Sequence, residues 1–551
     1  MSTFGLMSVG TNAMYAAQRQ LQTTGNNIAN ASVEGYTRQS VALTTLPSLY
    51  SGSGYIGSGV AVGNNNAERG VSAFMTNVAA QTSSNAATDQ ARLDMLNRLQ
   101  DSFGTAEAGL GHATTQFFNA WSDLARQPGD TSSRQVVLSR ADDMASMFRN
   151  TSDNLDILQA TVRDEVSTGV SSVNAMAKQV AALNRQIAGD QGVGGVPSEL
   201  LDQRDQLVGK ISEQVQVTRL EQSDGSLSLM IGGGQSLVLG GTAYEMKAHP
   251  DGADPTRMAV SIDVSGVQRS LSADSLGGGA LAGVLTFQND DLASARTRLN
   301  DMASNITTQV NQQQSLGLTP AGTQGAAMFR SAVGNEMPAH AMTLLLSRPD
   351  DIAAANPATA STGVANTGTA EVASFSFSAA STLPANQLTL KFTDNSGNYQ
   401  ILDSTGGVQA QGAWVPGQSI SHFGFDLQLN GVPKKDDTIG IAKTTDPTAN
   451  NGNALAMANL ADWRDASGAT FTDHYASTLS DIGVRVQTAT STADISAKAA
   501  DTAKQRLTSQ NGVNLDEEAA RLIQYQQSYQ AAAKVLQVAQ KVFDTLLSLG
   551  A

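Results

Sequence analysis

No cysteine occurs among the 551 residues, which excludes disulfides, thiolate metal sites and cysteine nucleophiles together. Aromatic residues make up 5% and charged residues 15% of the chain, against about a quarter charged in ordinary globular proteins. The surface must therefore lean on Ser, Thr, Asn, Gln and Ala. With 34 basic and 49 acidic residues the net charge is −15, which argues against nucleic acid or an anionic membrane as a partner. The stretch MSTFGLMSVGTNAMYAAQRQ has no cationic start and no continuous apolar run, and Arg19 is its first basic residue. No cleavable secretory signal is expected, and no apolar run approaches the length of a membrane span. Either the protein is cytoplasmic, or it leaves the cell by a route that keeps its N-terminus.

What is present is periodicity at both ends. Met7, Met14, Leu21 and Ile28 recur every seven residues, with small residues Gly10, Ala17, Thr24 and Ala31 three positions after each. This spacing predicts one helix with one apolar seam. The far end repeats the device with Leu515, Leu522, Tyr529, Leu536 and Phe543, followed at three positions by Tyr525, Ala532, Ala539 and Leu546. Asn514 and Glu517 form a capping-box pattern that predicts a helix start near 514, and Gly512 marks a joint before it. Periodicity leaves two readings open: two amphipathic helices on an ordinary core, or termini that pair as a coiled coil. Between the ends lies NNIANASVEGYTRQ, residues 26–39. Asn, Ser and Gly compete with helical backbone bonding, so the helix is expected to stop here. Asn26, Asn27 and Asn30 weaken it, Gly35 can take the left-handed conformation that ends it, and Tyr36 can anchor the turn.

The interior alternates in character. Long helical patterns fill about 70–213, interrupted at Gly192, Gly194, Gly195 and Pro197 and restarted with Ser198 as the N-cap. Residues 215–267 change to strand-like alternation with a hairpin turn at Asp224-Gly225. A long helix follows from Leu281 to about Leu316, with Leu285, Leu292, Leu299 and Ile306 seven apart. Residues 345–445 read as short strands, among them SFSFSA, QLTLKFTD, YQILD and FDLQLNG. The nested order of these segments brings the two ends together, so the fold class is mainly α with inserted β, an elongated multi-domain chain whose N- and C-terminal helices are expected to pair as a coiled coil. Its expected parts are a terminal helical assembly domain (1–34 with 513–551), a long-helix bundle with a small β element at 215–267 (35–344 with 446–512), and an inserted outer β-domain (345–445).

No motif for chemistry emerges. The histidines at 112, 249, 340, 422 and 474 are scattered without the spacing of a metal site, so each is read as structural and no metal ligand is assigned. GGGALA at 277–282 matches a relaxed dinucleotide fingerprint, but no strand leads into it and one very long helix follows, so it reads as a turn before a helix. IGGGQSLVLGG lacks the lysine of a phosphate loop and reads as hairpin turns. Asp394 begins a partial calcium-loop pattern without its closing glutamate and also reads as a turn. The pairs Asp142-Asp143, Asp290-Asp291 and Asp350-Asp351 are read as solvent-facing or capping. No catalytic residue, cofactor site or cofactor is assigned, and the chain is not expected to be an enzyme.

NNIANASVEGYTRQ resembles the N-terminal signature of bacterial flagellar axial proteins, the rod, hook and hook-associated subunits. The ending Tyr36 to Gln39 draws the likeness toward the hook-filament junction members. Three more stretches are similar to those members: LLDQRDQLV at 200–208, FFNAWSDLARQPGDTSSRQVVL at 117–138, and GVNLDEEAARLIQYQQSYQAAAKVLQVAQKVFDTLLSL at 512–549. The likeness covers roughly 1–345 and 450–551; GGALAGVLTFQNDDL departs from the usual form at Ala282 and Val284.

The resemblance implies a structural subunit that self-associates in a ring at the hook-filament junction and is required for filament attachment. It implies as partners the hook protein, the second junction protein, an export chaperone at the C-terminal segment and the type III export apparatus. It also implies an extracellular place in the flagellum, reached without a cleaved signal. The seam residues Met7, Met14, Leu21, Ile28, Leu515, Leu522, Tyr529, Leu536, Phe543 and Leu546 are then the expected assembly interface. Two alternatives stand beside this: another axial subunit (the second junction protein or the hook protein), and a secreted adhesin or surface enzyme using the β insertion, where Trp414 and His422 are the residues on offer.

Overall fold

The computed structural model describes residues 3–50, 55–57, 59–63, 67–104, 109–191, 197–264 and 266–549. The expected glycine break at 192, 194 and 195 lies outside the described residues. The helices, in chain order, are α1 Thr3–Ala29, α2 Ala73–Ser102, α3 Leu110–Arg126, α4 Thr131–Gln191, α5 Ser198–Gln214, α6 Ala273–Leu276, α7 Ala280–Thr286, α8 Ala293–Leu316, α9 Pro338–Ala341, α10 Gly452–Asn459, α11 Phe471–Asn511 and α12 Leu515–Leu549. The fold is mainly α with inserted β. Contacts divide the chain into two units, one of Met1–Leu96, Gln159–Asn289 and Val486–Ala551, the other of Asn97–Leu158 and Asp290–Arg485. Helices as long as α4 and α11 have residues in both units.

In the first unit, the strands Val217–Glu221, Leu227–Ile231, Gln235–Leu239 and Thr242–Ala243 form a meander. It turns where expected: Gly225 takes φ 78° and the Asp224 carboxylate accepts from the Ser226 N–H at 2.9 Å. A second antiparallel sheet joins Glu245–Pro250, Met258–Val264 and Val267–Leu271. The GGGALA stretch is a turn before α7, as the sequence predicts. At Gly279, φ 88°, an added Cβ would collide with the Gln214 carbonyl, so only glycine lets the chain pass. The long helix expected from Leu281 to Leu316 is present, and Leu285, Leu292, Leu299 and Ile306 are all buried. A π-helical stretch, Phe287–Leu292, interrupts it. Within that stretch buried Gln288 accepts from Gln159 Nε2 and the Met258 N–H and donates to the Met258 carbonyl. Heptad spacing cannot announce such an interruption, because the apolar residues stay in phase across it.

The second unit packs an aromatic cluster under α3, with Trp121 and Phe117 fully buried, Phe117 centred 5.9 Å from Phe329 and Phe118 stacked at 5.9 Å on Phe471. The inserted strands form two sheets. One runs in the order Ala358–Thr362, Thr438–Lys443, Gln387–Phe392, Asn398–Asp403, Val408–Ala413; the other places Phe425–Asn430 between Glu371–Phe377 and Ile420–His422. Alternating residues such as Leu388, Leu390, Phe392, Leu427, Ile439 and Ile441 fill one core.

Two expectations are corrected. The N-cap of α5 is Pro197, not Ser198, which is its first helical residue and is buried. Asp291 does not face solvent: it is buried and its Oδ1 lies 2.7 Å from Arg485 Nη1. The partner that makes this burial tolerable stands 194 positions away, where local sequence cannot point to it.

Candidate functional site

Helices α1 and α12 lie against each other antiparallel: Gly10 meets Leu536 near one end and Asn27 meets Glu518 near the other. Along the apolar seam the small residues lie deeper than the large ones. Gly10, Ala17, Thr24, Ala532 and Ala539 are buried, and a Cβ added at Gly10 would sit 2.9 Å from Leu536 Cγ. Small side chains on both faces let the two backbones approach closely. The larger seam residues flank this contact and are only partly covered. Met7, Met14, Leu21, Ile28, Leu522, Leu536 and Phe543 are half-buried, while Leu515 and Tyr529 remain 54% and 36% exposed. The side chain of Leu546 lies outside the described residues.

The corner at 26–39 closes this pair. Helix α1 ends at Ala29, the Asn30 side chain donates to the Asn26 carbonyl at 3.0 Å, and Gly35 takes φ 76°. A Cβ at Gly35 would collide with the Gln206 side-chain amide, and Gln206 donates to the Glu34 carbonyl. Asn27 does more than weaken the helix. It is fully buried, and its side-chain amide pairs with the backbone of Gln39 as a strand would: Nδ2 donates to the Gln39 carbonyl at 2.9 Å and Oδ1 accepts from the Gln39 N–H at 3.0 Å. Oδ1 also accepts from the Tyr36 hydroxyl at 3.0 Å, and Nδ2 donates to Glu518 Oε2 at 3.1 Å. Both donors and both lone pairs of the amide are thereby used.

Neighbouring residues of the signature continue the network. Arg38 Nε donates to Glu518 Oε1 at 2.7 Å, its N–H to the Asn511 carbonyl at 2.8 Å, and its carbonyl accepts from the Gly70 N–H. Thr37 donates through its hydroxyl and its N–H to Asp202, at 2.7 and 3.2 Å. Arg69 bridges Asp202 and Asp205 at 2.8 and 2.7 Å, and Arg219 contacts the other oxygen of Asp205. The start of α12 is fixed as well, since the Asn514 side chain accepts from the N–H groups of Asp516 and Glu517.

Burial sets the electrostatics. It pushes the Tyr36 phenol up to about 12, with the charges of Asp202, Glu199 and Glu518 adding to the effect, so the hydroxyl remains a donor. Burial likewise raises Asp202 despite its bonds from Thr37 and its Arg69 neighbour. At Asp205 burial works upward too, but Arg219 and Arg69 outweigh it and hold the carboxyl below its ordinary range. The arrangement pins the corner, the Arg69 segment, α5, the Val217–Glu221 strand and the first turn of α12 with charge-assisted bonds.

Sequence reasoning foresaw the corner and its helix end. It missed Asp202, Asp205, Arg69, Arg219 and Glu518 as parts of one lock, because the apolar positions of LLDQRDQLV define its helical face and its carboxylates look like ordinary surface. Elsewhere the histidines prove less isolated than their spacing implies. His474 lies 2.9 Å from Asp465, and His422 lies 3.0 Å from the Tyr399 hydroxyl, in the inserted unit that also buries Trp414. Asp153, Asp156 and His340 bring ligand atoms within 4.8 Å of one another, but all three are exposed and Arg296 already holds Asp156 at 2.6 Å.

Comparison with known proteins follows the same segments. The family model described as the flagellar hook-associated protein FlgK helical domain matches residues 96–329, that for the flagella basal body rod protein matches 7–37, and that for the flagellar basal body rod FlgEFG protein C-terminal region matches 504–549. Flagellar hook-associated protein 1 of Salmonella typhimurium is 30% identical over 563 residues, covering 99% of both chains. The chain belongs to the flagellar hook-associated protein 1 family. The Escherichia coli member is 28% identical over 99% of each chain, and that of Bacillus subtilis 28% identical over 74% of this chain and 84% of its own. The fold agrees with the flagellar hook junction protein FlgK from Burkholderia pseudomallei, with a TM-score of 0.69 at 21% identity over 79% of this chain and all of the other. The Salmonella and Escherichia coli members are thus similar to the chain from end to end, through the segments that form the α1–α12 pair and the corner.

Proposed function

We propose that the chain is a structural subunit of the bacterial flagellum, forming the junction between hook and filament and required for filament attachment. The observation that carries this reading is the lock itself. The corner signature, the LLDQRDQLV helix and the first turn of α12 meet in one buried hydrogen-bonded network, while the flanking seam residues of α1 and α12 keep part of their apolar surface open. A subunit that completes its burial against neighbours needs such open surface and such a rigid base. Met7, Met14, Leu21, Ile28, Leu522, Leu536 and Phe543 serve as the assembly interface, with Leu515 and Tyr529 on its outer edge. Asn26, Asn27, Asn30, Gly35 and Tyr36 set the direction in which the chain leaves the helix pair.

Copies associate in a ring, meeting the hook protein on one side and the second junction protein on the other. The protein acts outside the cell without catalytic chemistry. It travels through the type III export apparatus without a cleaved signal, with a chaperone covering the C-terminal apolar stripe beforehand. The terminal helices, the long-helix bundle and the strand insertion at 345–445 act as assembly domain, body and outer domain. Cells lacking the gene should carry hooks without filaments and shed filament protein into the medium, and supplying the gene should restore filaments. Filaments of normal number on cells lacking it would overturn the reading.

A further inference from the structure

The start of α5, the end of α4, the Glu68–Asn77 segment and the Val217–Glu221 strand line an open-sided cavity of about 960 Å³ beside the lock. Its inner wall carries Arg69, Arg204 and Arg219; its exposed rim carries Glu68, Glu199 and Glu221. Arg69 and Arg219 share the carboxylate of Asp205, whereas Arg204 is only 4% exposed and, among the described residues, donates to the Gly225 carbonyl and to no carboxylate. The Nε atoms of Arg204 and Arg69 are both buried without an acceptor. A buried guanidinium with unused donors favours a planar oxygen anion. A small free dianion would have to pass three rim carboxylates, so the fitting ligand is an acidic group set between cations.

This chain carries such a group. On α11 the exposed side chains of Lys498, Asp501 and Lys504 follow one another at three-residue spacing, placing a carboxylate between two ammonium groups about 4.5 Å along the axis on either side. We propose that the cavity receives Asp501 of a second copy of this chain, with Arg204 as the anchor and Glu68, Glu199 and Glu221 facing Lys498 and Lys504. The inference rests on the junction reading, since a ring brings different faces of identical subunits together.

The test uses hook-junction particles isolated from cells producing the full-length chain, treated with a carbodiimide that joins carboxylates to lysines in contact. Mixed heavy- and light-isotope subunits distinguish links between copies from links within one. Links between Glu199, Glu68 or Glu221 and Lys498 or Lys504 of separate copies are expected. They should fall about tenfold in D501K, where a like charge meets Arg204, and the links from Glu68 and Glu221 should fall likewise in E199K; both substitutions lie at exposed positions. Combining E199K with K498E should restore association as judged by particle recovery. Filament-bearing particles without these links, or links indifferent to D501K, overturn the proposal; so does loss of the links on adding succinate with particles intact, which would identify the cavity as a site for a free dicarboxylate. Failure of the wild-type gene to restore filaments would instead count against the junction reading.

Discussion

The side-chain amide of Asn27 donates to the carboxylate of Glu518 at 3.1 Å, closing a loop of 491 positions between the first and last helices. Glu518 is 1% exposed and also holds Arg38, which is itself 24% exposed at its side chain. Replacing Glu518 by Ala leaves both donors without this acceptor. The expected cost is about 1 to 3 kcal/mol, the range for a buried charged hydrogen bond whose partner keeps some access to water. Hydrogen exchange should show faster opening at 27–39 and in the first turns of α12, with the exchange of α3 and the inserted strands unchanged.

Close approach of the terminal helices depends on Gly10. Gly10→Val places a branched side chain against Leu536, so it should force the helices apart and cost about 1 to 3 kcal/mol in the pair. Cells producing this variant should export it normally and attach fewer filaments, counted by electron microscopy. The control is Ser8→Val: it adds the same side chain on the exposed side of the same turn and should leave attachment unchanged.

Acid response follows from two carboxylates shifted in opposite directions. Asp205 has a folded pKa below its unfolded value, so its contribution is present above the unfolded value of about 3.9 and is lost as pH falls through the folded value. Asp202 has a folded pKa above its unfolded value, so protonation favours the folded state and stability is gained as pH falls through that pKa. Asp202→Asn removes the opposing contribution and should make acid destabilisation of the first unit steeper; Asp205→Asn should flatten it below about pH 4. Urea titrations followed by hydrogen exchange at several pH values check both directions.

The strand insertion has its own core, and its ends are adjacent: Ala358 pairs with Lys443, and just outside them the Thr444 hydroxyl donates to the Asn356 carbonyl at 2.6 Å. Exchanging 358–443 for a linker of about four residues should therefore leave export and motility largely intact. Swimming assays and the amount of variant recovered outside the cell measure this. A stable, exported variant without filaments would show that the insertion takes part in assembly.

Much of this structure was legible in the sequence where a period carries the information. The heptads of Leu285 to Ile306, the alternation of QLTLKF and the Asp224-Gly225 turn each encode their structure locally. The corner was legible because Asn and Gly act on their own backbone. The lock was not, because Asn27, Thr37 and Asp202 reveal their roles only when partners distant in sequence arrive. The seam was legible as a spacing but not in its depth: Leu515 and Tyr529 sit in register yet outside the contact, while Ala532 and Ala539 carry the burial.

Leu536→Asp tests most directly whether α1 and α12 form an assembly element rather than an ordinary core. Leu536 is half-buried against Gly10, and a carboxylate there opposes both the pair and any neighbour that would cover it. Cells lacking the gene and supplied with this variant should export a protein whose protease-resistant centre melts as the wild type does, yet display hooks without filaments under the electron microscope. Normal filaments, or a variant unfolded throughout, would contradict the assembly role of the pair.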